Sequence, residues 1–170
     1  MQLRDEILKE HSRAQALRIA GWIGDDAERF RELMQLFLTD IYRVVQRAAW
    51  IVSMVAEKQP ALIIPYLEAM VGKVGEQGVP VAVKRNVVRI LQHIDIPEGI
   101  HGEVMNMCFD LLNDPKETVA VRAFSMTVLG NLAKAYPEIK QELRAVIEDI
   151  LEHSPTAGMR SRGRSVLGGL

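Results

Sequence analysis

The stretch VRAFSMTVLGNL at residues 121–132 returns 38 residues later as MRSRGRSVLGGL at residues 159–170. The same interval toward the N-terminus reaches VKRNVVRILQHI at 83–94 and VQRAAWIVSMVA at 45–56, and a fainter copy, SRAQALRIAGWI, begins at Ser12. Arg122 falls in one column with Arg160, Lys84 and Gln46, and Leu129 with Leu167, Leu91 and Ser53. Self-similarity at a period in this range marks stacked supersecondary units, each of which buries its apolar face only against its neighbours.

Between the echoing segments lies a second set that keeps the same interval. Leu67, Met105 and Leu143 share a column, as do Met70, Cys108 and Val146, then Val71, Phe109 and Ile147, then Val74, Leu112 and Ile150. Apolar residues at i, i+3, i+4 and i+7 make one side of an amphipathic helix. Each period therefore holds two helices, here called A and B, and no strand pattern competes. The spacing predicts nine helices: a lone helix over 3–21, A helices near 26–38, 60–74, 98–112 and 137–152, and B helices near 41–56, 80–94, 116–134 and 156–168. Pro60, Pro97 and Pro137 fall near the starts of A helices, where a missing amide hydrogen costs nothing. Asp114-Pro115 and Ser154-Pro155 read as a side-chain cap followed by proline at the starts of B helices. Gly21, Gly75, Gly78 and Gly99 read as connections or helix ends.

A length of 170 residues with 48% hydrophobic content suffices for one domain with a substantial core. Cys108 is the single cysteine, so no internal disulfide and no cysteine-built zinc site is possible. The N-terminal MQLRDEILKEHSRAQ is charged throughout, unlike a signal peptide, and no run reaches the length of a membrane span; the nearest is ALIIPYL, interrupted by proline. The expected setting is cytoplasmic.

The segment LLNDPKETVAVRAFSMTVLGNL at 111–132 resembles a HEAT repeat: an apolar helix, an aspartate at the turn, valine-arginine, a small residue three positions on, and a leucine-glycine pair. Those roles fall on Asp114, Val121, Arg122, Ser125, Leu129 and Gly130, and the last repeat keeps Arg160, Gly163, Leu167 and Gly168, with Met159 at the valine position. The second B segment departs more, with Gln46, Ser53 and Met54 at the arginine, leucine and glycine positions. The resemblance implies an all-α HEAT/armadillo-like fold, a right-handed α-α superhelix or solenoid of about four helical pairs behind an N-terminal capping helix. The expected division is a single domain over 1–170, with the N-terminal helix in 1–24 and repeats at 25–56, 57–94, 95–135 and 136–170. The tetratricopeptide pattern, with its 34-residue period, is absent.

Charge is distributed unevenly through this repeat. The first 20 residues and the B stretches carry 15 basic and 4 acidic residues, a net of +11, against −12 for the A stretches and turns. HEAT-like folds place B helices on the concave side, so the resemblance implies a basic groove behind an acidic back. Its candidate contacts are Arg43, Arg47, Trp50, Lys84, Arg85, Arg89, Arg122, Met126, Arg160, Arg162 and Arg164. An arginine at the Arg122 position belongs to the HEAT pattern, where it often bonds to neighbouring turns, so Lys84, Arg122 and Arg160 also have a structural reading. Arginine suits bidentate contact with carboxylates or phosphates.

The expected function is a non-enzymatic scaffold that binds an acidic protein or peptide segment in the groove. The alternative is nucleic-acid binding, resembling in outline the alkylpurine DNA glycosylases built from HEAT-like repeats. Those enzymes need aromatic residues and an acidic side chain in the groove. Here Glu117 is the one carboxylate on the four paired B helices and sits near a helix start, where capping explains it, while Trp22 and Trp50 read as packing.

Catalytic, metal and cofactor chemistry finds little support. His11, His93, His101 and His153 are scattered, though His93 and His101 could meet in a turn, and neither GxxxxGK[ST] nor GxGxxG occurs. Cys108 lies in an apolar column and reads as core, and Glu148, Asp149 and Glu152 read as a solvated face. No cofactor, metal or membrane partner is expected. The last B segment ends in Leu167-Gly168-Gly169-Leu170. Either its helix frays, or Val166 and Leu170 meet another molecule, with weak self-association through the C-terminal repeat as the expectation.

Overall fold

Residues 1–153 and 156–170 are described in a computed structural model, and within them every regular element is a helix. They divide into two compact units, Met1–Ile90 and Leu91–Leu170.

In the first unit the expected helix over 3–21 is two helices, α1 (Leu3–Lys9) and α2 (Arg13–Ile23). Glu10 is extended, and Ser12 caps α2 by accepting from the Gln15 amide at 3.1 Å. The break turns Leu3 and Ile7 of α1 and Ile19 and Ile23 of α2 inward together. Gly21 lies inside α2, which ends instead at Gly24, where φ is +55° and a side chain would be strained. Asp26 then caps α3 (Ala27–Thr39) through the amides of Glu28 and Arg29, both at 3.0 Å. Phe30, Leu33, Met34 and Phe37 form its buried face at the predicted spacing. The following B helix, α4 (Tyr42–Lys58), packs against α1, α2 and α3, so it buries Val44, Val45, Ala48, Ala49, Ile51, Val52, Val55 and Ala56. Burial of each larger side chain here contributes about 1.5–3 kcal/mol.

The A helix expected over 60–74 is interrupted. It consists of α5 (Pro60–Ile63), a 3₁₀ turn at Ile64–Tyr66 and α6 (Leu67–Val74). Pro65 is the cause: its ring and missing N–H break the ladder in mid-helix. Leu67, Met70, Val71 and Val74 nevertheless keep one buried face. Gly75 ends α6 and Gly78 takes φ +73° before α7 (Val81–Leu91), whose last residue lies across the unit boundary.

The second unit contains α8 (His101–Asn113), α9 (Val119–Leu132), α10 (Lys140–His153) and α11 (Ala157–Gly169), with 3₁₀ turns Glu98–Ile100 and Pro137–Ile139 leading into α8 and α10. Pro97 stands just before the first turn and Pro137 opens the second, while Gly99 lies inside a turn. Asp114 does not cap a B helix. It ends α8 and accepts from the Lys116 amide at 2.8 Å, and the cap of α9 is Thr118, through the Val121 amide at 3.3 Å. Thr156, 38 residues on, caps α11 in the same way. The expected Ser154 cap lies outside the described residues.

The pattern's small position is where the two helices of a repeat cross. Ser125 of α9 is fully buried, bonds back to the Val121 carbonyl at 2.8 Å and touches Cys108 of α8. In the next repeat Gly163 of α11 meets α10: a Cβ there would stand 3.1 Å from both Ile147 and Leu151. Gly130 serves a second contact, between α9 and α11, where a Cβ would come within 3.0 Å of Val166. The face of α8 is turned slightly from its predicted setting. Val104, Cys108, Leu111 and Leu112 are buried while Met105 and Phe109 are half-buried, because the two settings share Cys108 and Leu112 and spacing alone does not say which flank goes inward.

Candidate basic interaction surface

The arginines of the B helices separate into those that hold the fold and those that face outward. In the first unit, Arg47 is half-buried and donates from Nη1 to the Ile7 and Leu8 carbonyls at 3.0 and 2.8 Å. These are among the last carbonyls of α1, which have no partner within their own helix, so a guanidinium there satisfies them and complements the negative helix end. Arg89 pairs with Glu57, and Lys84 interacts with neighbouring groups. Trp50 is half-buried and lies edge-on to His11, with ring centroids 6.2 Å apart. Arg43 and Arg85 are exposed and have no hydrogen-bond or ion-pair partner among the described residues.

In the second unit, Arg122 donates from Nε to the Leu112 carbonyl at 2.9 Å, closing the end of α8 as its place in the repeat pattern implies. Arg160 is exposed and interacts with neighbouring groups, and Arg164 is exposed without a partner among the described residues. Met126 is fully buried, which corrects its expected place on a contact surface: α9 is covered by α8, α10 and α11, and this position of the repeat faces them.

Arg162 is held by side chains instead of by carbonyls. It is half-buried, its Nη1 donates to Gln92 Oε1 and Thr127 Oγ1 at 2.6 Å each, and its guanidinium lies 5.6 Å from the Phe124 ring centroid. It lines an open cleft of about 280 Å³ between α9 and α11, together with Thr127, Asn131, Lys134 and Ser165. Asn131 is held by its Nδ2 donating to the Gln92 carbonyl at 3.2 Å. Thr127, Asn131, Lys134 and Ser165 were not among the sequence candidates. Their signal is the polar pair Thr127 and Asn131 at i, i+4 on α9, continued by Lys134 just past its end, beside Arg162 and Ser165 at i, i+3 on α11, readable only once the two helices are known to adjoin.

The repeat pattern is confirmed by comparison with known families. A family description of the HEAT repeat domain matches residues 3–170. The chain belongs to the HEAT repeat family. Neither a curated protein nor a solved structure matches it. HEAT repeats generally act as protein-interaction scaffolds, and the family is typically non-enzymatic.

Other titratable groups of this HEAT protein have local explanations. Burial pushes the Cys108 thiol up to about 12, against a lowering contribution from its bond to Ser125, so it stays protonated in the core. His101 does not join His93. Both of its ring nitrogens are engaged, Nδ1 with the Tyr136 hydroxyl at 2.9 Å and Nε2 with the Ile96 carbonyl at 2.7 Å. Among the described residues no three histidine, cysteine or acidic side chains converge as metal ligands, and no helix is long and apolar enough to cross a membrane. Trp22 is stacked by Arg29, 4.5 Å from the ring centroid. Glu148, Asp149 and Glu152 are exposed along α10. At the C-terminus α11 runs to Gly169, and Val166 is half-buried beside Gly130.

Proposed function

We propose that this HEAT protein is a non-enzymatic scaffold that holds an acidic protein or peptide segment against its B helices. The observation that carries the reading is that Arg43, Arg85 and Arg164 stand exposed on B helices with no partner among the described residues, whereas most of the chain's carboxylates lie on A helices and turns. A solvated guanidinium with its fork unused is suited to bidentate capture of a carboxylate. The free thiol of Cys108 suits a reducing compartment such as the cytoplasm. Nucleic acid is the less favoured partner, because Trp22 and Trp50, which read as packing, are engaged by Arg29 and His11 instead of standing open to stack on bases.

Fluorescence anisotropy with a glutamate-rich peptide and with duplex DNA tests the reading. The expected result is saturable peptide binding that the combined Arg43→Glu, Arg85→Glu and Arg164→Glu variant loses, with duplex unbound at about 50 mM salt. Failure of the unmodified protein to bind the peptide sinks the proposal, as does tight duplex binding with a steep salt dependence.

A further inference from the structure

The cleft between α9 and α11 has the composition of a carboxylate seat. Its lining holds two cations, Arg162 and Lys134, and the neutral polar side chains Thr127, Asn131 and Ser165, with no acidic residue among them. Charge of one sign in a concave, partly desolvated setting attracts the opposite sign more strongly than the same charges on a convex surface.

Arg162 is also pre-organised. Gln92 and Thr127 hold its Nη1, and Phe124 supports the plane from one side. The Nε–Nη2 edge has no partner among the described residues. That edge carries the parallel pair of N–H groups that matches the two oxygens of a carboxylate, and immobilising it beforehand lowers the entropy lost on binding. Lys134 is exposed and likewise without a partner, so it supplies a second, adjustable charge at the rim. Ser165 offers a hydroxyl from α11. At about 280 Å³ the opening lies below the usual range for drug-sized ligands and suits one or two side chains.

We infer that this cleft receives a glutamate or aspartate side chain of the acidic partner, with Arg162 as the fixed bidentate contact and Lys134 as the flanking charge. The inference rests on the scaffold reading above and deepens it, by assigning the acidic segment an anchoring point within residues 91–170. Arg162 then differs from Arg47 and Arg122 in its partners and its place: those side chains bond to helix-end carbonyls, whereas Arg162 is steadied by neutral side chains and lines the cleft.

The test uses the full chain and a labelled glutamate-rich peptide, with three single variants. Lys134→Glu alters an exposed side chain with no partner among the described residues, so it reports on binding without disturbing the fold, and is expected to weaken peptide binding by about tenfold or more. Ser165→Glu plants a carboxylate in the cleft and should compete with the peptide to a similar extent. Arg162→Gln should weaken binding as well, and its circular dichroism spectrum and thermal midpoint separate that loss from misfolding.

Nuclear magnetic resonance supplies an independent readout: N-acetylglutamate amide should shift the backbone amides of Thr127, Asn131 and Ser165. If the unmodified protein binds the peptide while Lys134→Glu and Ser165→Glu bind it equally well, the cleft is not the anchor, although the broader reading stands. If the unmodified protein binds no acidic peptide, both fall. Shifts produced by inorganic phosphate and not by N-acetylglutamate amide would overturn the carboxylate assignment.

Discussion

The first and last helical hairpins are secured by different physics. In the first unit, α1 is held by charged groups: Arg47 caps its final turn, Arg18 pairs with Glu6, and Arg4 grips Asp40 at the end of α3 through Nε at 2.8 Å and Nη2 at 3.1 Å. In the second unit, α11 is held by close approach, with Gly163 against Ile147 and Leu151 and Gly130 against Val166. A polar clamp uses up cations that would otherwise look like binding surface. A glycine contact uses none, and Arg164 of α11 stays exposed. Counting basic residues by helix therefore overstates the available charge in the first unit more than in the second.

The comparison can be broken most sharply at Gly163. Gly163→Leu inserts four carbons where one already meets neighbours at 3.1 Å, and is expected to cost about 2–3 kcal/mol by overpacking. Chemical denaturation reads it. An unchanged midpoint would mean that α10 and α11 have room to spare, and the contrast between the hairpins would be lost.

Arg47→Ala should have the next largest effect, about 1–2 kcal/mol, through two charge-assisted bonds. Hydrogen exchange should rise first in α1. Arg85 occupies the same column 38 residues later and is exposed, so Arg85→Ala should stay within about 0.5 kcal/mol. Equal losses for the two would remove the distinction between clamp and surface.

Asp40→Asn sharpens the comparison further through its pH dependence. The Asp40 carboxyl is held below its ordinary 3.8, first by the Arg4 hydrogen bond and then by the Ile41 amide and the Arg4 charge, with burial opposing. A depressed carboxylate contributes stability above its unfolded pKa and loses it as pH falls through the folded value. The difference between Asp40→Asn and the unmodified protein should thus be present at neutral pH, shrink with added salt and fade as pH falls below 3.8 through the folded value.

The smallest expected effect is at His153 on exposed α10, where the Asp149 carbonyl, the Asp149 charge and the Glu152 charge raise its pKa above 6.5. Its small contribution is present below 6.5 and fades as pH rises through the folded value. A proton titration should place His153 above 6.5, and Asp149→Asn should bring it down with no measurable change in unfolding.

Much of the architecture was legible because a helix face is written locally. The spacing of Phe30, Leu33, Met34 and Phe37 predicts α3, and the return of Val121-Arg122 as Met159-Arg160 after 38 residues predicts stacked two-helix repeats. Breaks were less legible. The division of α1 from α2 depends on Ser12 acting as a cap in a stretch that also reads as continuous helix, and Pro65 was noted without being placed inside an A helix. Thr118, not Asp114, caps α9, because the turn spends Asp114 on the Lys116 amide.

The candidate surface was legible as a sign of charge and not as a set of contacts. Period, helix type and charge asymmetry follow from residues within a turn or two of one another, so they are visible in one dimension. Whether an arginine is a clamp or a free donor depends on what lies across from it. Arg47 meets carbonyls some 40 residues away, and Arg162 meets Gln92 across 70. Met126 and Arg164 share a column of the repeat, yet one is sealed by packed helices and the other is exposed. Folding decides those partners, because donors, burial and desolvation are properties of neighbours in space, and a repeat pattern specifies neighbours only along the chain.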